Sequence, residues 1–557
     1  MMLRAVLRAL AGYFALLAVA CIGVKWAISL HTPDKREIVA SVWKSGEVTE
    51  RAVYFEGAPR DPRLDRALAE GGELVLETIV GEAPILQWPE LAFGVSLVPG
   101  KDGIKATLGD RTAYVTPDDL LSRQVYDHGL RIPQVGITLG ADTGAILAML
   151  ADRLKAQPQE VLESANLRRI RVQRQAGPER RRITAENVRR EDAREAVIAG
   201  AKYLARGLSP EGRYRYNVSA PGNQDLGGYD WPRHAGATFF LAQVAGMTND
   251  PALIDACKRA AMLMTSTALS KCGDATCVGE ENVVGLGSTA LAVVALTEII
   301  ERKIDDRFRW QLLGLTRFMR AQQRPDGEFM HQYDRVEGHP IDKQGLYYSS
   351  EAALALAKAY NITKDPADLE AAVRALRYLV GPAWSFFGDR YYFGEEHWTC
   401  QALSVLWPHA PDRKALDFCL RWQGFGRALQ QHEGSSFFDA DGSIGVGPVV
   451  TPRLTPVASR CEAAVATLDV ARQAGIAAGE IALLDTQLRR ALALLLRQQF
   501  RPGPRHLFKS PEDVEGAMPG SEVDWELRID YTQHTGSALV RWLELADPTE
   551  RPRAGQP

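Results

Sequence analysis

The feature that most constrains this chain is a pattern that recurs along its C-terminal two thirds, seen most fully from Phe318 to Tyr360. FMRAQQ ends one helix, and Pro325-Asp326-Gly327 stops it. A loop rich in rings and charge follows, and SSEAALALAKAY then opens a helix of small apolar residues. Proline has no amide to donate to a helix ladder and glycine tolerates backbone angles that end one, so the stop is firmly specified.

From residue 190 to 546 the apolar period is helical. Six segments carry long charged and aromatic side chains: 190–207, 251–269, 305–323, 366–381, 413–431 and 478–500. Between them lie six built from smaller residues: 233–246, 285–300, 347–360, 396–407, 457–475 and 531–546. A small-residue helix leads to the next bulky one through a short link such as MTND (247–250) or ITKD (362–365). The return connections run roughly 14 to 30 residues, longer than loops usually are and therefore suspected of function. Glycine recurs early in several of them, as in SPEGRYRY, RPDGEFMHQY and HEGSSFFDADG. Small side chains let six helices crowd around an axis while the bulkier six form an outer ring. The predicted fold is mainly α, an (α/α)6 toroid over 190–546, with the long loops and all inner-helix N-termini on one face.

That face has a chemistry. Helix N-termini present unpaired N–H groups and partial positive charge, so six around one mouth favour an anionic or hydroxyl-rich ligand. The residues placed there suit a sugar. His234, Glu351, His397 and Asp230, with Asp334 from a long loop, are the candidate acids and bases. Arg233, Tyr348, Trp398, Arg460, Glu462, Tyr531 and His534 are the candidates for holding substrate. Each has an ordinary alternative: a helix-start histidine can satisfy a loop carbonyl, a carboxylate can serve the helix dipole, and an arginine can brace a loop. Adjacent Glu395 and Glu396 cannot both point inward. If the site hydrolyses, its acid and base come from Asp230, Asp334, Glu351, Glu396, Glu462 and Asp530. If it epimerises or eliminates, a base takes the proton α to a carboxylate while Arg or His steadies the enolate. No HxxxH or HExxH spacing occurs, so neither a metal nor a cofactor is expected.

The stretches QQRPDGEFMHQYD and YYSSEAALALAKAY, set in this helix pattern over 190–546, resemble the six-hairpin carbohydrate-active superfamily of toroidal glycoside hydrolases, uronate lyases and uronyl C5-epimerase-like enzymes. The resemblance implies a glycan partner: a polysaccharide or oligosaccharide, a uronate-containing one among the candidates, bound and processed in the toroid cavity. The alternative is a non-catalytic glycan-binding or scaffold module of an envelope complex. Isoprenoid cyclases also use helical toroids, but no DxDD or DDxxD motif is present.

The chain's 557 residues leave room for more than the toroid. Arg4 and Arg8 precede an apolar run over residues 9–30, interrupted by Lys25, which reads as an uncleaved membrane anchor, with a cleaved signal segment as the alternative, and the body exported to the periplasm or cell exterior. Residues 31–180 read as a small α+β domain, with strands at 52–55, 73–80, 93–98, 103–108 and 112–117 and a last one in LRRIRVQRQ. Residues 547–557 read as a disordered tail. A net charge of -3 and the lack of a basic run argue against nucleic acid as a partner. Cys272 and Cys277, bracketing a polar loop, are a disulfide candidate; Cys257, Cys400, Cys419 and Cys461 fall in helices as buried thiols.

Overall fold

A computed structural model describes residues 29–88, 90–126, 128–132, 137–176, 181–383, 397–434, 439–445, 451–501 and 504–546. Nearly all of the apolar N-terminal run, the Glu395–Glu396 pair and the 547–557 tail lie outside the described residues. Among the described residues no helix is long and apolar enough to cross a membrane. The chain divides into two compact units, one taking residues up to Arg180 together with 448–451 and 504–509, the other the remainder.

The first unit is a six-stranded antiparallel sheet. Its strands are β1 (Glu37–Lys44), β2 (Glu47–Phe55), β3 (Glu73–Pro84), β4 (Asp102–Leu108), β5 (Arg111–Val115) and β6 (Asn166–Ala176), in the order β2-β1-β3-β6-β4-β5. Val39, Ile79 and Ile170 pack on one another beneath it. The sequence reading missed β1 and made a strand of 93–98, where the chain forms a helix over Glu90–Ser96. The period explains why: Phe93 and Leu97, four apart, are buried, whereas Val95 between them is 43% exposed. A strand would have turned all three the same way. The unit also holds a buried polar network in which Asp119 accepts from Arg51 and Arg153, and Asp118 faces Arg174 and His506.

In the second unit, twelve helices among the described residues alternate between two rings. The outer ones are α1 (Arg190–Arg206), α3 (Pro251–Leu263), α5 (Arg309–Ala321), α7 (Pro366–Leu379), α9 (Arg413–Ala428) and α11 (Ala478–Gln498). The inner ones are α2 (Trp231–Thr248), α4 (Leu286–Glu301), α6 (Tyr348–Thr363), α8 (His397–Leu406), α10 (Leu454–Gln473) and α12 (Ile529–Ala546). Each inner helix packs on the next, and α12 returns to α2, so the ring closes. The inner helices are buried nearly all round, as the long buried run of α4 illustrates, while the outer ones bury one stripe.

The recurrent loop sequence has a structural cause. Gln323, at the end of α5, donates to Gly327 O and to Ala371 O on α7. Gln430 does the same with Gly442 O and Gln487 O on α11, and Gln499 with Gly516 O and Ala196 O on α1. Gly327 sits at φ +102°, where a Cβ would meet Arg374 O at 2.5 Å, and at Gly442 it would meet Arg490 O at 2.1 Å. Only glycine fits such an approach. The latch ties neighbouring outer helices and seats each long loop on the same face. In HEGSSFFDADG it is Gly442 that does this; a Cβ on Gly434 would meet nothing.

Cys272 and Cys277 are joined. Cys400 and Cys419, read from sequence as buried thiols, are joined as well, linking inner α8 to outer α9. Closing a loop of that length stabilises by about 3 kcal/mol. The double variant Cys400→Ser, Cys419→Ser is therefore expected to lose about that much stability in urea, and reductant should no longer shift its midpoint beyond the contribution of the 272–277 bridge. A midpoint unchanged from wild type would refute the link.

Candidate active site

Three inner helices converge on one spot: α8 contributes His397 and Trp398, α10 contributes Glu462, its ninth residue, and α12 contributes His534, its sixth. Glu462 Oε2 lies 2.8 Å from His534 Nδ1. This places the ring proton on Nδ1, donated to the carboxylate. The His397 and His534 rings stand 5.4 Å apart at 77°, and Trp398 packs 4.5 Å from the first and 5.9 Å from the second. Ligand atoms of His397, Glu462 and His534 all fall within 4.8 Å of one another. His397 and Glu462 are buried.

Glu351, in the first turn of α6, flanks this cluster. Burial raises its carboxyl to about 8, against the pull of His534 and Arg233. Its Oε2 has no hydrogen-bond partner among the described residues. A Cβ on Gly287 of α4 would stand 2.5 Å from that oxygen, so the facing helix must be bare there. At neutral pH Glu351 is thus a neutral acid able to donate a hydrogen bond. The stability consequence has a definite sign. The folded state holds a proton that the unfolded chain releases near 4.5, so this group makes stability fall as pH rises from 4.5 to about 8. Glu351→Gln is expected to remove that decline and to be more stable than wild type at pH 8. Urea titrations across the window measure it; parallel curves would refute it.

The start of α6 is itself braced. Gly345 N–H donates to His331 Nδ1 at 2.7 Å, so His331 Nε2–H must donate to Ser349 Oγ, also at 2.7 Å, and Ser349 in turn donates to Glu328. Burial alone would raise Glu328; the His331 and Ser349 hydrogen bonds bring it down to about 2. Sequence reasoning missed both Glu328 and His331, although each stands in the GEFMHQY stretch of the recurrent loop.

The other candidates are placed differently. His234 is fully buried, its Nε2–H donated to Ala260 O at 2.9 Å and its Nδ1 accepting from Tyr229 at 2.6 Å. Burial holds it at about 4, so it is a neutral packing histidine and not the acid or base the sequence suggested. Asp334 lies in a hairpin and accepts from Val336 N and Glu337 N, a turn cap in place of a catalytic role. Asp230 caps α2 by accepting from Arg233 N and pairs with the Arg233 side chain. Arg233 also meets Asp530 at 3.3 Å, and Asp530 is held by Arg528 at 2.6 and 2.9 Å. Arg460 lies 5.7 Å over Trp422 and donates to Pro456 O. Tyr531 is buried and accepts from Arg453, while Tyr348 is half-buried beside the His331 ring at 5.5 Å. The structure therefore brings together His397, Trp398, Glu462, His534 and Glu351, buries His234 and Tyr531, places Asp334 in a turn and sets Arg460 over Trp422.

No family model matches the sequence, and no curated protein matches it. Among solved structures, cellobiose 2-epimerase from Bacillus thermoamylovorans B4167 is similar at a TM-score of 0.50 and 10% identity, over 64% of this chain and 98% of that one. Cellobiose 2-epimerase from Spirochaeta thermophila DSM 6192 gives 0.49 at 12% identity, over 66% and 98%. The GH76A α-1,6-mannanase from Salegentibacter sp. HEL1_6 gives 0.45 at 14% identity, over 64% and 100%. At such identities the likeness is one of fold alone, an (α/α)6 toroid.

Proposed function

We propose that the toroid is a carbohydrate-processing enzyme that moves a proton at the carbonyl end of an uncharged oligosaccharide. The observation that carries this is the His534–Glu462 pair, 2.8 Å apart, facing His397 across 5.4 Å at the N-terminal mouth of the inner ring. In the open-chain sugar, His534 Nε2 takes the proton from the carbon beside the carbonyl. The electron pair moves onto the carbonyl oxygen, which Glu351 stabilises as a neutral hydrogen-bond donor. His397 returns a proton to the opposite face, which inverts that carbon. The cellobiose 2-epimerases that share the fold bear names consistent with such chemistry. Arg233 and Arg460, the residues suited to clamp a uronate, are engaged by Asp230 and Asp530 and by Trp422 respectively, which favours a neutral sugar.

The test is incubation with reducing disaccharides and with uronate oligosaccharides in D2O, followed by NMR. Deuterium entering at C2 of the neutral sugars supports the reading. New reducing ends without deuterium would make it a hydrolase, and no change in any sugar would leave the non-catalytic module. A second reading, a divalent cation held by His397, Glu462 and His534, is favoured by the 4.8 Å convergence of their ligand atoms; metal analysis of the purified protein and activity after chelation decide it. We also propose that the chain is anchored by residues 9–30 with its body exported, supported by the flanking Arg4 and Arg8 and by two disulfides.

A further inference from the structure

We infer that the first unit seats one edge of itself in a lipid bilayer, with Leu86, Trp88, Leu91 and Val95 dipping into the headgroup–acyl boundary. This rests on the proposed anchor but is a separate claim about the folded domain. The four side chains are 42%, 86%, 42% and 43% exposed, and they crowd into ten residues of sequence. A single exposed leucine means little; four exposed apolar side chains within ten residues, led by an almost bare tryptophan, mark a surface that is covered in use. The helix over Glu90–Ser96 turns Phe93 into the core at 1% exposure and sets Leu91 and Val95, four apart, on the other face.

What covers the segment follows from where the apolar run comes out. His31 is bridged to Glu82 of β3 by backbone hydrogen bonds of 2.8 and 2.9 Å, and Leu30 packs over Gly81. The last residue of the run is therefore fixed next to the end of β3, four residues before Leu86, and Trp88 lies within about 20 Å of chain from Glu82. Glu37 pairs with Phe55 and Ile38 with Thr78, so the start of β1 and the end of β2 lie level with the middle of β3, six residues short of its end. Phe55 is 50% exposed there, with Lys35 lying 5.8 Å over its ring, and Arg36 is 3.8 Å from Glu56. Exposed Trp and Leu beside the point where the apolar run ends match a membrane interface. A chain leaving the membrane at Leu30 would bring this edge to the surface with no linker between.

The full chain, reconstituted into vesicles of phosphatidylcholine with a quarter phosphatidylglycerol, tests this in a Cys21→Ser background. An environment-sensitive fluorophore is placed at Trp88→Cys and, separately, at Glu47→Cys in the hairpin at the far end of β1, about 25 Å away. The expected result is flotation with the vesicles, a blue-shifted label at 88 quenched severalfold more by doxyl lipids than the label at 47. Flotation with a water-like label at 88 overturns the inference and leaves the anchor standing. Failure to float overturns both. A blue-shifted label that doxyl lipids do not quench means that protein, residues 9–28 or a second copy, covers the edge, and this too overturns it.

Discussion

His534→Asn is expected to reduce deuterium incorporation into the sugar substrate by about 10²–10⁴-fold while leaving thermal unfolding within a few degrees of wild type. The asparagine amide can still donate to Glu462, so the buried carboxylate keeps a partner and the fold should hold. What is lost is the nitrogen on the far side of the ring, which nothing else at the mouth can replace. His397→Asn should lose the second transfer: the α-proton would still exchange with solvent, but inverted product would not accumulate. That split between exchange and inversion separates a two-base site from a one-base site. Glu462→Gln should reduce turnover less than His534→Asn, since it disturbs the ring's orientation and leaves the base in place. Wild-type rates in His534→Asn would end the proton-transfer proposal.

Lys358→Met is expected to destabilise the toroid by about 3–5 kcal/mol. Lys358 of α6 reaches Glu298 at 2.9 Å and Glu301 at 2.6 Å on α4; Glu298 also holds Arg302, which pairs with Glu544 on α12. The ammonium, buried at 8% exposure, is kept charged by those two carboxylates. Burial would raise Glu298, but Lys358 and Arg302 bring it to about 2. A carboxylate lowered in this way stabilises the fold above its unfolded value near 4.5, and the contribution is lost as pH falls through the folded value. Removing Lys358 strands Glu301 in the interior and leaves Glu298 with Arg302 alone. The deficit should therefore be largest above about pH 4.5 and shrink as pH falls from there towards 2. Calorimetry or urea unfolding at several pH values measures it. A deficit independent of pH would mean that packing, and not the stranded charge, sets the cost.

The outer and inner helices were legible in the sequence because their signals are local. Long side chains on one stripe mark the outer ring, small ones all round mark the inner ring, and loop length tells which end is which. All twelve predicted segments coincide with observed helices to within a few residues, 251–269 among them, since α3 runs on from Leu263 through a π-helical turn to Ala268 before a short hairpin. The site was legible only in part. The sequence located histidines near inner-helix starts, but it could not say where each ring points. Residues advance about 100° around a helix per position, and the candidates stand at different positions along theirs: His234 is the fourth residue of α2 and His534 the sixth of α12.

Local sequence by itself determined the helical period, the alternation of loops, the stops at Gln and Gly, and hence a closed double ring. The tertiary structure alone decided that His397 and His534 converge on Glu462 while His234 is turned onto Ala260 O. It also decided that Cys400 meets Cys419, that Gly442 and not Gly434 forms the latch, and that Glu351 stays protonated. The division has one physical reason. Helix formation and termination depend on neighbours a few residues away, whereas the azimuth of a side chain and the water around a carboxylate depend on how six helices pack around a common axis.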